Sequence, residues 1–229
     1  MKNLTVQMRR TEITLGLIYI VLQVFILPVA LTVINSFLPH PLSLAALNFV
    51  SFAINFICVT VIFHRYLIGS FKMLMQNPGK ILSACLKGFG LYWLSSILIN
   101  MLIVYIDPEF SNVNDDNIAL LTNQNNLLMA VGTVFLVPVV EETLYRGVIF
   151  GQLYKRNSVI AYTVSVSVFS ALHVLGYIGL YNPTHLLLCF LQYIPAGVFL
   201  AWTYVKADNI WAPVLIHMIV NQIGMLAMQ

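Results

Sequence analysis

The sequence predicts an all-α fold, a polytopic transmembrane helix bundle, and three observations carry that prediction. Of the 229 residues, 60% are hydrophobic and 8% are charged, whereas a soluble domain draws about a quarter of its residues from Asp, Glu, Lys and Arg. Seven apolar segments approach the roughly 20 residues a helix needs to cross the hydrocarbon core. Of the 11 Lys and Arg residues, nine fall in gaps on one side of those segments, Lys87 lies near the same side within the third, and Arg146 alone is deep inside one. A soluble enzyme and a disordered chain are thereby excluded. A net charge of +3 also supplies no basic stripe for nucleic acid, so the partner to expect is the lipid bilayer.

The spans are read at Ile13 to Leu38, Leu42 to Phe63, Ile81 to Ile106, Leu127 to Leu153, Ser158 to Leu175, His185 to Val205 and Ile210 to Met228. Pro39 and Pro41, Asn77-Pro78-Gly79 and Asn182-Pro183 punctuate them. A short helix is expected in the linker from Arg65 to Lys80. The first apolar stretch exceeds the roughly 7–15 residues of a signal-peptide core and is expected to remain as an anchor. Residues 1–126 read as a three-span lead-in and residues 127–229 as a four-span core. The one-sided Lys and Arg, from Lys2 to Lys206, place the N-terminus in the cytoplasm of a cell-membrane protein. The loop from Asp107 to Asn126, with Asp107, Glu109, Asp115 and Asp116, then lies outside, as does the C-terminus if the span count is seven. Tyr66, Tyr154, Tyr204, Trp202 and Trp211 read as an aromatic belt at the inner interface. Cys58, Cys85 and Cys189 read as small buried hydrophobes.

An ionisable residue inside an apolar span costs roughly 2.5–3.5 kcal/mol even on the lenient insertion scale, so each is a functional candidate. The fourth span holds three in Glu141-Glu142-Thr143-Leu144-Tyr145-Arg146. Glu142 and Arg146 stand at i,i+4 and are expected to pair. Glu141 lies about 100° round the helix and must face another helix. His173 in the fifth span, and His217 with Asn221 in the last, are the candidates to meet it. Asn55, Asn100 and Gln192 are expected to make interhelical hydrogen bonds, and His40, His64 and His185 to be interfacial.

A carboxylate and a histidine on neighbouring helices can hold a water and take its proton as it attacks a carbonyl. Donors on a third helix, here His217 and Asn221, can then stabilise the oxyanion. Hydrolysis of a peptide bond in a membrane protein or peptide is the reaction these groups suit. A zinc hydrolase using Glu141, His173 and His217 is an alternative, although no HExxH helix exists. A proton-coupled transporter and a non-catalytic immunity-type protein also stay open.

The ordered motifs Glu141-Glu142-x-x-x-Arg146, Phe169-x-x-x-His173 and His217-x-x-x-Asn221, the last preceded by Asn209-Ile210-Trp211-Ala212-Pro213, resemble the CPBP intramembrane protease family. That family includes the type II CAAX prenyl endopeptidases. The resemblance covers roughly residues 127 to 229 and implies a bacterial, glutamate-dependent endopeptidase with eight helices and no cofactor. By motif position it implies that Glu141 and His173 activate water, that His217 and Asn221 form the oxyanion site, and that Glu142 and Arg146 shape the cavity.

Overall fold

The computed structural model describes residues 4–227. Among them the chain forms eight helical rods and no strand: α1 (Arg10–Ser36), α2 (Leu44–Gln76), α3 (Pro78–Ile106), α4 (Val113–Gln124), α5 (Asn126–Tyr154), α6 (Ser158–Tyr177), α7 (Pro183–Ala207) and α8 (Trp211–Ala227). Six of these, all but α4 and α8, are long and apolar enough to cross a membrane. The chain is a multi-pass membrane protein. The predicted seventh span corresponds to α8, an apolar helix of 17 residues. Its expected end at Met228, and Lys2 of the basic set, lie outside the described residues.

The short helix expected in the linker of Arg65 to Lys80 is present as the second limb of α2, which kinks at Phe63 (φ −106°, ψ 15°), where the predicted span ends, and runs on to Gln76. One element differs from expectation. The expected loop of Asp107 to Asn126 contains α4, which starts where the Asn112 side chain accepts from the backbone N–H groups of Asn114 and Asp115. The same device opens other rods. Ser43, Asn125, Asn157 and Asn182 cap α2, α5, α6 and α7 through side-chain oxygens, satisfying donors that a helix start otherwise leaves orphaned.

α5 is the most enclosed rod. Half of its apolar window is buried, against 6% for α1 and for α3, which present their side chains to lipid. α5 and α6 supply Leu144, Val148, Phe150 and Phe169 to the principal core, where they meet Val59, Phe63 and Tyr66 of α2 and Tyr204 of α7. α7 packs against α3 and α6. Its closest approach to α3 is at Gly88, where any side chain would collide with Thr203.

At the end of the bundle where α7 turns into α8, Asp208 takes a left-handed conformation (φ 56°). Its carboxylate accepts from the Thr5 backbone N–H (2.8 Å) and hydroxyl (2.6 Å), which folds residues 4–9 back so that Leu4 and Met8 are buried. Asn209 donates to the Ser70 carbonyl (2.7 Å) and accepts from the Trp211 N–H (2.9 Å), so this turn is bolted to α2. Tyr66 and Tyr204 are here too, but as core residues: both are buried and their hydroxyls are 2.9 Å apart. The belt reading is corrected for that pair, because a phenol buried against another phenol satisfies its polar tip without reaching the interface.

Candidate active site

Glu142 and Arg146 form the expected pair, Nε to Oε2 at 3.2 Å with both side chains fully buried. The contact is close enough for an ion pair but is not aligned as a hydrogen bond. Arg146 also donates from Nη2 to the Ala196 carbonyl on α7 (3.4 Å) and lays its guanidinium 4.2 Å from the Phe169 ring centroid. The other Glu142 oxygen, Oε1, is 2.8 Å from His217 Nδ1. His217 therefore meets Glu142, not Glu141, which corrects the expected pairing. A buried carboxylate set between an arginine and a histidine has its charge offset by the guanidinium, which makes its burial tolerable, while Oε2 keeps no aligned hydrogen-bond donor among the described residues.

Beside this cluster lies a cavity of about 930 Å³ lined by Glu141, His173, His217 and Asn221, but not by Glu142 or Arg146. Glu141 Oε2 is buried without a hydrogen-bond partner among the described residues. His173 Nδ1 is 2.8 Å from the Phe169 carbonyl. A carbonyl can only accept, so Nδ1 carries the proton and Nε2 of the neutral ring keeps its lone pair. Phe169 is the hub of the arrangement, with its ring centroid 4.6 Å from that of His173 and 6.2 Å from that of His217 while its face receives Arg146. His217 borders both environments.

Asn221 is drawn in through a backbone defect. The helix widens to π geometry at Leu22–Ile26, Val131–Leu136 and Glu142–Phe150, and the first two segments end two residues before Pro28 and Pro138. A proline has no N–H and its ring clashes with the carbonyl four residues back, and a wider turn relieves that clash. In α5 the Val137 N–H bonds the Gly132 carbonyl, five residues back. The next bond in that register would run from residue 138 to the Thr133 carbonyl, and Pro138 cannot make it. Asn221 Nδ2 takes that carbonyl instead, at 2.8 Å. The proline in the fourth span thus creates the acceptor that ties α8 to α5.

The cavity wall formed by α4 and α7 was not anticipated. Tyr193 OH is 3.1 Å from Asp115 Oδ1 and 3.3 Å from Asn112 Oδ1, and it accepts from Asn114 Nδ2 at 3.1 Å. Asn112 donates to Gln192, which donates to Asn100 at 2.9 Å. With Tyr19 bonded to Asn55 (2.7 Å), all three amides expected to bond between helices do so, and all three also line the cavity. Burial pushes the Asp115 carboxyl above its usual range, while the Tyr193 bond and nearby His173 pull the other way. The density of Asn and Asp from Asn112 to Asn117 was the available signal, and it is the same composition that made the segment read as a loop.

No group of three His, Cys, Asp or Glu side chains among the described residues is gathered closely enough to hold a metal ion. The three cysteines are free, Cys189 buried and the other two partly so.

The fold and this cluster define a polytopic helical membrane protein with a Glu-Arg-His assembly at the edge of a cavity. Residues 123–223 match the family model described as Type II CAAX prenyl endopeptidase Rce1-like, a stretch that contains Glu141, Glu142, Arg146, His173, His217 and Asn221. Over this segment the chain is therefore similar to the CPBP family. It is also 32% identical over 95 residues to the protein named "Putative membrane peptidase YdiL" of Bacillus subtilis (strain 168). That match takes in 41% of this chain and 34% of the relative, so the chain spans about a third of the curated relative it matches. No solved structure matches the chain.

Proposed function

We propose that the protein is an intramembrane endopeptidase that hydrolyses a peptide bond of a membrane-associated protein or peptide with water activated by Glu141 and His173. The observation that carries this reading is the shared cavity, in which Glu141 has an uncommitted oxygen and His173 a free Nε2 while the adjacent glutamate is sealed away. Water attacks the carbonyl carbon and gives its proton to Glu141. The carbonyl π pair becomes the oxyanion, the C–N bond then breaks, and the proton passes to the departing amine. His217, in its imidazolium form, donates to the oxyanion through Nε2, and Asn221 donates through the amide hydrogen not given to Thr133. Both family resemblances support a peptidase, and neither names the substrate of this chain.

The 2.8 Å contact of His217 with Glu142 favours a second reading, in which Glu142 orients His217 and its neutral Nε2 is the general base, as carboxylate-held histidines act elsewhere. Mass spectrometry of membrane peptides from cells carrying the wild type, Glu141→Gln or His217→Gln decides between them. New termini lost in Glu141→Gln support the first reading. New termini that persist in Glu141→Gln and vanish in His217→Gln overturn it in favour of the second.

The one-sided basic residues further support a cell-membrane location with a cytoplasmic N-terminus. In a cysteine-free background, an impermeant reagent on intact cells should label a cysteine placed at Ser111 and not one at Gln76, both exposed positions. The reverse pattern would invert the orientation.

A further inference from the structure

We propose that Tyr193, anchored by α4, is a positioning residue for His173. The proposal rests on the reading of His173 as part of the water-activating pair. The rings of Tyr193 and His173 lie with centroids 4.1 Å apart, tilted by 31°, and Phe169 covers His173 at 4.6 Å. The imidazole therefore packs into the corner made by two aromatic rings whose own centroids are 6.5 Å apart, with its Nδ1 tied to the Phe169 carbonyl at 2.8 Å. Phe169 belongs to the same helix as His173 and moves with it. Tyr193 comes from α7, so it is the contact that fixes the imidazole relative to the rest of the bundle.

What fixes Tyr193 is α4. Its hydroxyl carries one proton, which goes to the nearer acceptor, Asp115 Oδ1 at 3.1 Å, and a lone pair receives Asn114 Nδ2 at 3.1 Å. A hydroxyl committed in both directions has no proton to offer an oxyanion, which makes Tyr193 a support and not a catalytic residue. Asn112 adds rigidity by capping α4 with the same Oδ1 that lies 3.3 Å from the hydroxyl. The polar helix between the third and fifth rods thus reaches His173 through the Tyr193 phenol, and a ring displaced by an ångström matters because catalytic geometry tolerates little misplacement.

The experiment uses the full-length protein in lipid nanodiscs with ¹⁵N-histidine, the His173 ring signals being those missing from His173→Gln. Tyr193→Phe keeps the ring and loses the anchor, Asp115→Leu removes the anchor's acceptor, and Asp115→Asn keeps an acceptor oxygen. Tyr193→Phe and Asp115→Leu should perturb the His173 nitrogen signals alike, by a shift or by exchange broadening, and Asp115→Asn should leave them near wild type. In a cleavage assay the first two should lower kcat by ~3–10-fold with KM within about twofold, and the double variant should be no worse than either single one, as expected of residues acting through one contact. Unchanged nitrogen signals in a folded Tyr193→Phe protein, or losses that add in the double variant, would overturn the proposal. If the wild type cleaves nothing, the peptidase reading falls by itself, and the nitrogen signals still decide whether Tyr193 holds His173.

Discussion

The buried cluster of Glu142, Arg146 and His217 and the open wall of Glu141 and His173 share α5, and consecutive residues of α5 begin both. In the cluster, every charge has a partner: Glu142 sits 3.2 Å from Arg146 and 2.8 Å from His217, and the guanidinium is covered by Phe169. On the wall, Glu141 has a buried oxygen without a partner and His173 keeps Nε2 free. The difference teaches what each carboxylate is fitted for. A charge held against an opposite charge in a low-dielectric interior sets geometry and resists change, whereas a carboxylate on a cavity wall with no ion-pair partner of its own is able to take up a proton.

The sharpest way to break that comparison is to neutralise each glutamate separately. Glu141→Gln keeps the shape but removes the proton acceptor, so turnover should fall by about 10²–10⁴-fold, the usual contribution of general acid–base catalysis. Its melting temperature in detergent should match the wild type, because no ion pair is lost. Kinetics on a cleaved peptide together with a thermal scan check both halves. Near-wild-type cleavage would favour the reading in which His217, oriented by Glu142, is the base.

Within the cluster the expected loss is of stability. Glu142→Gln strands Arg146, and Arg146→Gln leaves Glu142 with His217 alone, so each should cost about 3–5 kcal/mol, the usual result of removing one partner of a buried pair. The double variant should recover part of that loss, since neither charge is then stranded. Denaturant titration in mixed micelles measures it. A double variant less stable than both single ones would mean that Arg146 draws its main support from Ala196 and Phe169 and not from Glu142.

The catalytic candidates stood out in the sequence because lipid makes polar residues conspicuous: Glu141, Glu142, Arg146, His173, His217 and Asn221 interrupt apolar runs, and the four of them assigned to chemistry line one cavity. The i,i+4 pair was legible because both partners lie on one helix. The partner of His217 was not, since spacing gives an angle on one rod and says nothing about which side of a neighbouring rod it meets. The π segment starting at Glu142 changes that angle further. α4 escaped notice for the opposite reason: its Asn and Asp side chains resemble those of a loop, and only the tertiary fold shows that Asn114 and Asp115 turn toward Tyr193. The lead-in spans were easy to find, but their share of the cavity wall, with Asn55 and Asn100 in it, was not, and the inward-facing Tyr66 and Tyr204 could not be told from interfacial tyrosines by position alone.

The smallest expected effect tests how the wall is joined to α8. The Thr133 carbonyl lies in a buried residue and lacks its helical donor because residue 138 is proline, so Asn221 supplies the missing hydrogen bond at 2.8 Å. Asn221→Ala should therefore cost about 1–3 kcal/mol, the penalty for leaving a buried polar group unsatisfied. Pro138→Ala restores an N–H that can bond to Thr133 within α5, and alanine is a far better helix residue than proline. This variant should be at least as stable as the wild type, yet it should cleave more slowly, because Asn221 then competes for an acceptor already taken and α8 loses a tie to α5. Combining the two isolates the contact: the stability loss of Asn221→Ala should shrink toward zero in the Pro138→Ala background, a coupling that a double-mutant cycle reads directly. Should Asn221→Ala cost the same in both backgrounds, the carbonyl freed by the proline is not what holds Asn221, and its place on the cavity wall must come from the packing of α8 alone.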